Sequence, residues 1–227
     1  MNNYIKIKNL TKKYEKNKSI KVLNDITFNF EPGKTYSIMG PSGSGKSTLL
    51  NLLSLIDNPT AGSIEISKNK IKSNNKVKND LIRAKKIGII YQDKNLLSDF
   101  TALENVYLPN LLVSKEKQRS IELAKKLLKN VGMSSRINHF PNELSGGENQ
   151  RIAIARALIN NPDIILADEP TGSLDSDNAK LVFKILFNLK NKNRIIIFAT
   201  HNRYFANMAD CKIMMNDGNI QIINATI

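Results

Sequence analysis

Eight consecutive residues restrict this chain more than any other stretch: Gly40-Pro41-Ser42-Gly43-Ser44-Gly45-Lys46-Ser47. They fit the pattern G-x-x-x-x-G-K-[ST] and stand between an apolar strand-like run, residues 35–39, and an apolar helix-like run that starts at Thr48 and continues to residue 56, where Asn58-Pro59 ends it. Glycines at these positions let successive backbone N–H groups turn into one concavity, and the helix that follows adds the positive end of its dipole. Such a loop binds phosphate oxygens. Lys46 is long enough to reach the β- and γ-phosphates of a nucleotide, and the Ser47 hydroxyl suits Mg²⁺. A strand that feeds a loop and then a helix also commits its surroundings to an α/β arrangement.

The rest of the chain reads in the same sense. Residues 5–10 and 22–30 alternate apolar and polar side chains as half-buried strands do, and Glu31-Pro32-Gly33 supplies a turn. Residues 62–66 and 87–91 are further strand candidates on either side of a polar, basic stretch, 67–86. From 102 to 160 the period shifts towards helix. Residues 120–131 place Ile121, Ala124, Leu127 and Leu128 on one face and lysines on the other. Two dense apolar strands follow, 164–168 and 194–200, with a helix over 178–189 between them; a parallel sheet covered on both faces requires such runs. This order predicts one α/β domain spanning 1–227, with a helical subdomain inserted over about 94–160. There is no internal repeat and no low-complexity linker.

Composition bounds the function. At 227 residues and 41% hydrophobic, the chain can bury a full core. Its single cysteine, Cys211, excludes an internal disulfide. No apolar run approaches the roughly 18 residues of a membrane span, and residues 1–14 lack the apolar core of a secretory signal. The chain is therefore expected to be soluble and to reach a membrane only through a partner. The net charge of +14 is spread along the sequence apart from 67–86, and Lys, Asn and Ile are used heavily throughout. Charge bears on association rather than fold. An anionic membrane leaflet attracts such a protein as well as nucleic acid does, and specific nucleic-acid binding is not expected.

Ile164-Ile165-Leu166-Ala167-Asp168-Glu169-Pro170 is an apolar strand ending in two carboxylates. At the C-terminal end of a neighbouring parallel strand they would face the same crevice as the phosphate loop. Asp168 is then placed to hold Mg²⁺, mostly through water, and Glu169 to act as general base on an attacking water. An acidic turn at a strand end is the plainer reading; its pairing with the phosphate loop favours the site.

Leu144-Ser145-Gly146-Gly147-Glu148-Asn149-Gln150-Arg151 resembles the signature motif of ABC ATPases, and the glycines and Ser145 would open a helix over 150–160. The resemblance runs from Ile5 to Ile223. It implies a P-loop NTPase core sheet with an antiparallel β edge and the inserted helical subdomain. It also implies ATP and Mg²⁺ as cofactors, and a homodimer in which Ser145, Gly146, Gly147 and Glu148 contact ATP bound by the opposite subunit. By the same resemblance Gln92 touches the metal with Ser47 and Asp168, Tyr14 stacks on adenine, and Asp175 belongs to a loop crossing the dimer interface. His201 contacts the γ-phosphate and joins Glu169 and Lys46 in catalysis. The ATP-binding set is then Tyr14, Gly40, Pro41, Ser42, Gly43, Ser44, Gly45, Lys46, Ser47, Thr48 and Gln92. Asn149 and Asn202 depart from common family residues, at positions without direct chemical roles.

Residues 95–106, Asn-Leu-Leu-Ser-Asp-Phe-Thr-Ala-Leu-Glu-Asn-Val, follow Gln92 and resemble the corresponding segment of ATPases from lipoprotein-releasing systems. The resemblance implies contact with integral membrane permease subunits around 96–106 and a peripheral location on the cytoplasmic face of the inner membrane. It also implies lipoprotein release as the task, with macrolide- or peptide-type export or a cell-division complex as the alternatives. Leu96, Leu97, Phe100 and Leu103 could equally cap the helical core.

Overall fold

The computed structural model describes residues 4–16 and 18–225. Two sheets form the body. In the first, β1 (Ile5–Lys16) pairs antiparallel with β2 (Lys18–Phe30) on one side and with β4 (Ala61–Ile66) on the other, and the two-residue β5 (Asn69–Lys70) closes the edge. Alternation sends Ile5, Ile7, Leu23 and Phe30 inward. This is the antiparallel part of the expected fold.

The second sheet has the order β10-β9-β3-β8-β7-β6, where β3 is Thr35–Met39, β6 Ile87–Ile90, β7 Ile164–Asp168, β8 Ile195–Ala199, β9 Cys211–Asn216 and β10 Asn219–Ala225. It is parallel from β9 to β6, and β10 runs antiparallel on the edge. The continuous apolar runs of β7 and β8 have a direct cause. Ile164, Leu166, Ile195, Ile197 and Ala199 point into the core shared with the antiparallel sheet and with α1 (Lys46–Leu53), which buries Leu49, Leu50, Leu52 and Leu53 there. Their neighbours Ile165, Ala167, Ile196 and Phe198 point the other way, onto α6 (Ser176–Asn188), α7 (Arg203–Asn207) and the inner side of α5 (Gly146–Leu158). There Phe183 meets Phe198 edge-on at 5.4 Å between ring centroids. Burying each such large apolar side chain stabilises the fold by about 1.5–3 kcal/mol.

A third cluster lies outside the sheet. It joins Ala102 and Val106 of α3 (Ala102–Ser114), Ala124 and Leu128 of α4 (Lys117–Asn130), and Ile152 and Ala155 of α5. Of the apolar face expected over 120–131, Ala124 and Leu128 are fully buried, while Ile121 and Leu127 are half-buried.

Three boundaries differ from the sequence reading. The first helix starts at Lys46 rather than 48, because it springs directly from Gly45. Likewise α5 begins at Gly146 rather than 150: the Ser145 side chain accepts from the Glu148 N–H and the Glu148 carboxylate accepts from the Ser145 N–H, a reciprocal cap that the spacing S-x-x-E encodes. Finally, the basic stretch 67–86 holds β5 and α2 (Lys76–Lys86). That helix escaped sequence reading because only Asn79 on it is fully buried, so it shows no apolar stripe.

Candidate nucleotide and metal site

The loop between β3 and α1 is shaped by two close approaches. Gly40 has φ 150°, and a β-carbon there would lie 2.0 Å from the Met215 carbonyl oxygen. Gly45 has φ 104°, and its β-carbon would meet the Val22 carbonyl at 2.9 Å. Only glycine accepts both conditions. The Lys46 ammonium folds back over the loop, donating to the Gly40 and Pro41 carbonyls at 2.9 Å each. Two of its three N–H donors are used this way.

A cleft of about 400 Å³ opens above the loop, lined by Gly40, Ser42, Gly43, Lys46, Ser47, Gln92, Asp168, Glu169 and His201. The sheet brings these together: β3, β6, β7 and β8 are neighbours, and all four deliver their C-terminal ends to one edge. The C-terminal ends of parallel strands are where α/β sheets bind ligands.

Glu169 has φ 43°, a left-handed conformation costly for a residue with a side chain. Its N–H donates to the Ala199 carbonyl at 3.1 Å, tying the turn to β8. Its carboxylate oxygen Oε2 lies 2.9 Å from His201 Nδ1 and accepts, at 3.4 Å, from the His201 backbone N–H. The strained turn thus holds the carboxylate next to the exposed imidazole.

The donor set fits a hydrated cation. Oδ1 of Asp168 is buried and has no hydrogen-bond partner within the protein, a costly arrangement for a carboxylate oxygen unless a ligand satisfies it. Together with the Ser47 hydroxyl and the Gln92 amide it offers three oxygen donors on the cleft wall. Among the described residues there is no cluster of three or more His, Cys, Asp or Glu side chains that could hold a metal alone. A divalent ion here would rely on water and phosphate oxygens, as Mg²⁺ characteristically does.

The other expected site residues lie outside this lining. Pro41, Ser44 and Gly45 belong to the loop itself, and the Ser44 hydroxyl is buried without a partner. Tyr14 stands on β1 beside Thr48 with its ring 40% exposed. Its hydroxyl donates to Asp57 at 2.9 Å, and the Lys12 ammonium sits 4.7 Å from the ring centroid. Burial and then the Asp57 hydrogen bond push the phenol pKa up. The ring is oriented from both sides while part of it stays accessible.

Ser145, Gly146, Gly147 and Glu148 form a second centre at the start of α5. Glu148 is held below the usual carboxylate range, first by the Ser145 backbone N–H, and Arg136 pairs with it at 3.3 Å. Asp175 caps α6, accepting from the Asn178 N–H at 3.0 Å, and that hydrogen bond is the main reason its carboxyl is also held low. Asn178 joins the two: its amide donates to Asp175 at 2.7 Å and lies against Gly147.

Sequence reasoning missed the residues that hold the loop after Gln92. Arg156 donates to the Asn95 and Lys94 carbonyls at 2.6 and 2.7 Å, and the fully buried Gln150 reaches the Tyr91 carbonyl at 3.4 Å. Asn105, also buried, gathers the Leu97, Phe100 and Thr101 carbonyls. One signal was available: Gln150 interrupts an apolar helical face that continues through Ile154 and Leu158. Along 96–106, Leu96 and Leu103 pack on the helical cluster, whereas Leu97 and Phe100 are exposed.

Fold and cleft together define a phosphate-loop α/β nucleotide hydrolase. The sequence profile of the ABC transporter family matches residues 23–172. The lipoprotein-releasing system ATP-binding protein LolD of Rickettsia bellii is 44% identical over 92% of this chain and 93% of its own length. An uncharacterized ABC transporter ATP-binding protein of Methanocaldococcus jannaschii, MJ1508, is 45% identical over 97% and 99%. Among solved structures, the ATP-binding cassette MJ0796, a dimer in a post-hydrolysis state bound to ADP and Pi, superposes with a TM-score of 0.87 at 37% identity, covering 97% of this chain and 99% of that one. The chain belongs to the ABC transporter family, as an ATP-binding and ATP-hydrolysing subunit. Among the described residues, no helix is long and apolar enough to cross a membrane.

Proposed function

We propose that this subunit drives the release of lipoproteins from the inner membrane towards the outer membrane, working as a homodimer beneath integral membrane permease subunits, peripheral to the cytoplasmic face. The observation that carries this reading is the 44% identity to a LolD protein over nearly the full length of both chains. Two further LolD proteins, from Wigglesworthia glossinidia brevipalpis and Rickettsia felis, reach 45% and 43% over 97% and 98% of this chain.

In the proposed cycle, ATP lies in the cleft with its phosphates on the loop Gly40–Ser47, adenine on Tyr14, and the γ-phosphate near Gln92 and His201. Mg²⁺, held by Ser47, Gln92 and Asp168, supplies charge neutralisation on the phosphates. Glu169 takes a proton from water as the water attacks the γ-phosphorus in line and the β–γ bond breaks to give ADP and phosphate. Lys46, His201 and the partner subunit's signature serine neutralise the charge on the transferring group; positioning and electrostatics supply most catalysis of this kind. ATP bound between two subunits holds them closed, and hydrolysis lets them part. The helical segment 94–160, with its own small core, is proposed to move as a unit and pass that change through Leu97 and Phe100 to the permease.

A second reading is a macrolide- or peptide-type exporter or a cell-division complex. Equal identity to an uncharacterized archaeal ABC subunit favours keeping it. Depletion of the chain in its own cell separates the two. Lipoproteins retained in the inner membrane support release; normal sorting with impaired drug or peptide export supports the alternative.

A further inference from the structure

We propose that the outer face of α2 is a docking surface for an anionic phospholipid bilayer. Residues 67–86 hold eight of the chain's 34 Lys and Arg residues and one of its 20 Asp and Glu residues, which is half of the net charge of +14 within 20 positions. Two of the eight cations are used inside the protein: Arg83 pairs with Asp80 and Lys86 with Asp163. The other six, Lys68, Lys70, Lys72, Lys76, Lys78 and Lys85, are exposed and form no ion pair among the described residues.

The helix is arranged around this charge. Asn79, Ile82, Arg83 and Lys86 recur at helical spacing on the side facing the protein, where Asn79 is buried, Ile82 packs on the main core and Arg83 donates to the Leu55 carbonyl. The opposite side carries Val77, Leu81 and Ala84. Val77 is 74% and Leu81 53% exposed. Lys78 and Lys85 flank this apolar strip on one side and Lys76 lies on the other, so the outer face has an apolar centre and a cationic rim. That pattern suits a helix lying in a lipid interface, with apolar side chains among the acyl chains and ammonium groups at the phosphates. Nucleic acid suits it less well. A phosphate backbone gains nothing from an apolar centre, and residues 67–86 contain no aromatic side chain on which a base could stack. A second copy of the same face would bring like charges together.

The placement agrees. Arg83 and Ala84 also line a cleft with Tyr91, Asn95 and Leu112, so the strip continues to the loop after Gln92 and to Leu112, which is 81% exposed. This is the side that the proposed function turns towards the permease. In orientation alone the inference rests on that reading; the surface itself needs neither permease nor cargo.

The test is co-sedimentation of the purified subunit with phosphatidylcholine vesicles made with and without phosphatidylglycerol. Binding should require the anionic lipid and weaken as salt is raised. Lys78→Gln with Lys85→Gln should lower partitioning by roughly twentyfold, about fivefold for each lysine, and leave basal ATPase unchanged. Lys125→Gln with Lys126→Gln, which removes equal charge from α4, should have little effect. A polarity-sensitive dye on Leu81→Cys should shift to the blue on anionic vesicles; the chain's own Cys211 is buried and unlabelled. Equal binding to neutral vesicles, equal loss from the α4 pair, or an unmoved dye overturns the proposal. So does duplex DNA binding that needs Lys78 and Lys85 under conditions where vesicles do not bind. Either result leaves the lipoprotein reading standing, because that reading is tested by sorting in cells.

Discussion

A β-carbon on Gly147 would lie 2.3 Å from Oδ1 of Asn178, so the first turn of α5 and the cap of α6 share one space that only a glycine leaves open. The Asn178 amide cannot simply swing away, because it donates to Asp175 at 2.7 Å and Arg151 reaches its oxygen at 3.5 Å. Gly147→Ala should therefore displace Asn178 and destabilise the chain by about 1–3 kcal/mol, as overpacking does. For a chain of this size that is about 2–4 °C of melting temperature per kcal/mol. Asn178→Ala in the same chain should recover much of the loss. Thermal unfolding of the two single variants and the double variant checks this, and strictly additive shifts would contradict the shared space.

Lys46 supplies a charge-assisted contact to phosphate that no neighbour can replace. Lys46→Ala should weaken ATP binding by about tenfold or more, since hydrogen bonds involving a charged group contribute about 1.5–3 kcal/mol. Calorimetric titration with ATP and Mg²⁺ reads this directly. Unchanged affinity would remove Lys46 from the site.

Asp210 joins the end of β8's helical cover to the start of β3. Burial pushes its carboxyl pKa up, but the Lys190 ammonium at 2.6 Å and the Thr35 N–H and hydroxyl more than offset this and leave it lowered. A depressed carboxylate contributes stability that is complete above its ordinary pKa, roughly 3.9, and is lost as pH falls through its lower folded value. Asp210→Asn should accordingly melt several degrees below the parent at neutral pH. The gap should persist down to about pH 4 and close only in stronger acid. A gap that closes near neutrality would assign the effect to another group.

Leu97 and Phe100 remain exposed beside the Gln92 loop, while Leu96 and Leu103 are committed to the helical cluster. Leu97→Asp with Phe100→Asp should leave basal ATPase nearly intact and abolish co-purification with membrane subunits, since apolar anchors at interfaces contribute on the order of 1–2 kcal/mol each. Loss of folding or of basal activity would place both residues in the core.

Much of this was legible in the sequence because periodicity and local motif carried it. The limits of β3 and β7 and the lining residues Lys46, Ser47, Gln92, Asp168, Glu169 and His201 come from apolar strands that end in chemistry-bearing groups. The hidden parts depend on tertiary partners. Helix α2 shows no apolar stripe because it buries little. The hold of Arg156 on the 94–95 carbonyls spans about 60 residues of chain and leaves no local trace. The contact of Gly147 with Asn178 likewise joins two helices whose sequences do not announce each other.

The central claim is that Glu169 performs the chemistry while the loop Gly40–Ser47 performs the binding, with two chains closing around ATP. Glu169→Gln preserves size and removes the base. Steady-state ATPase should fall by roughly 10²–10⁴-fold with ATP affinity retained. Size-exclusion chromatography should then show the variant as a dimer with ATP and Mg²⁺ and as a monomer without them. A variant that turns over ATP at the parent rate, or that remains monomeric while binding ATP, would contradict the account.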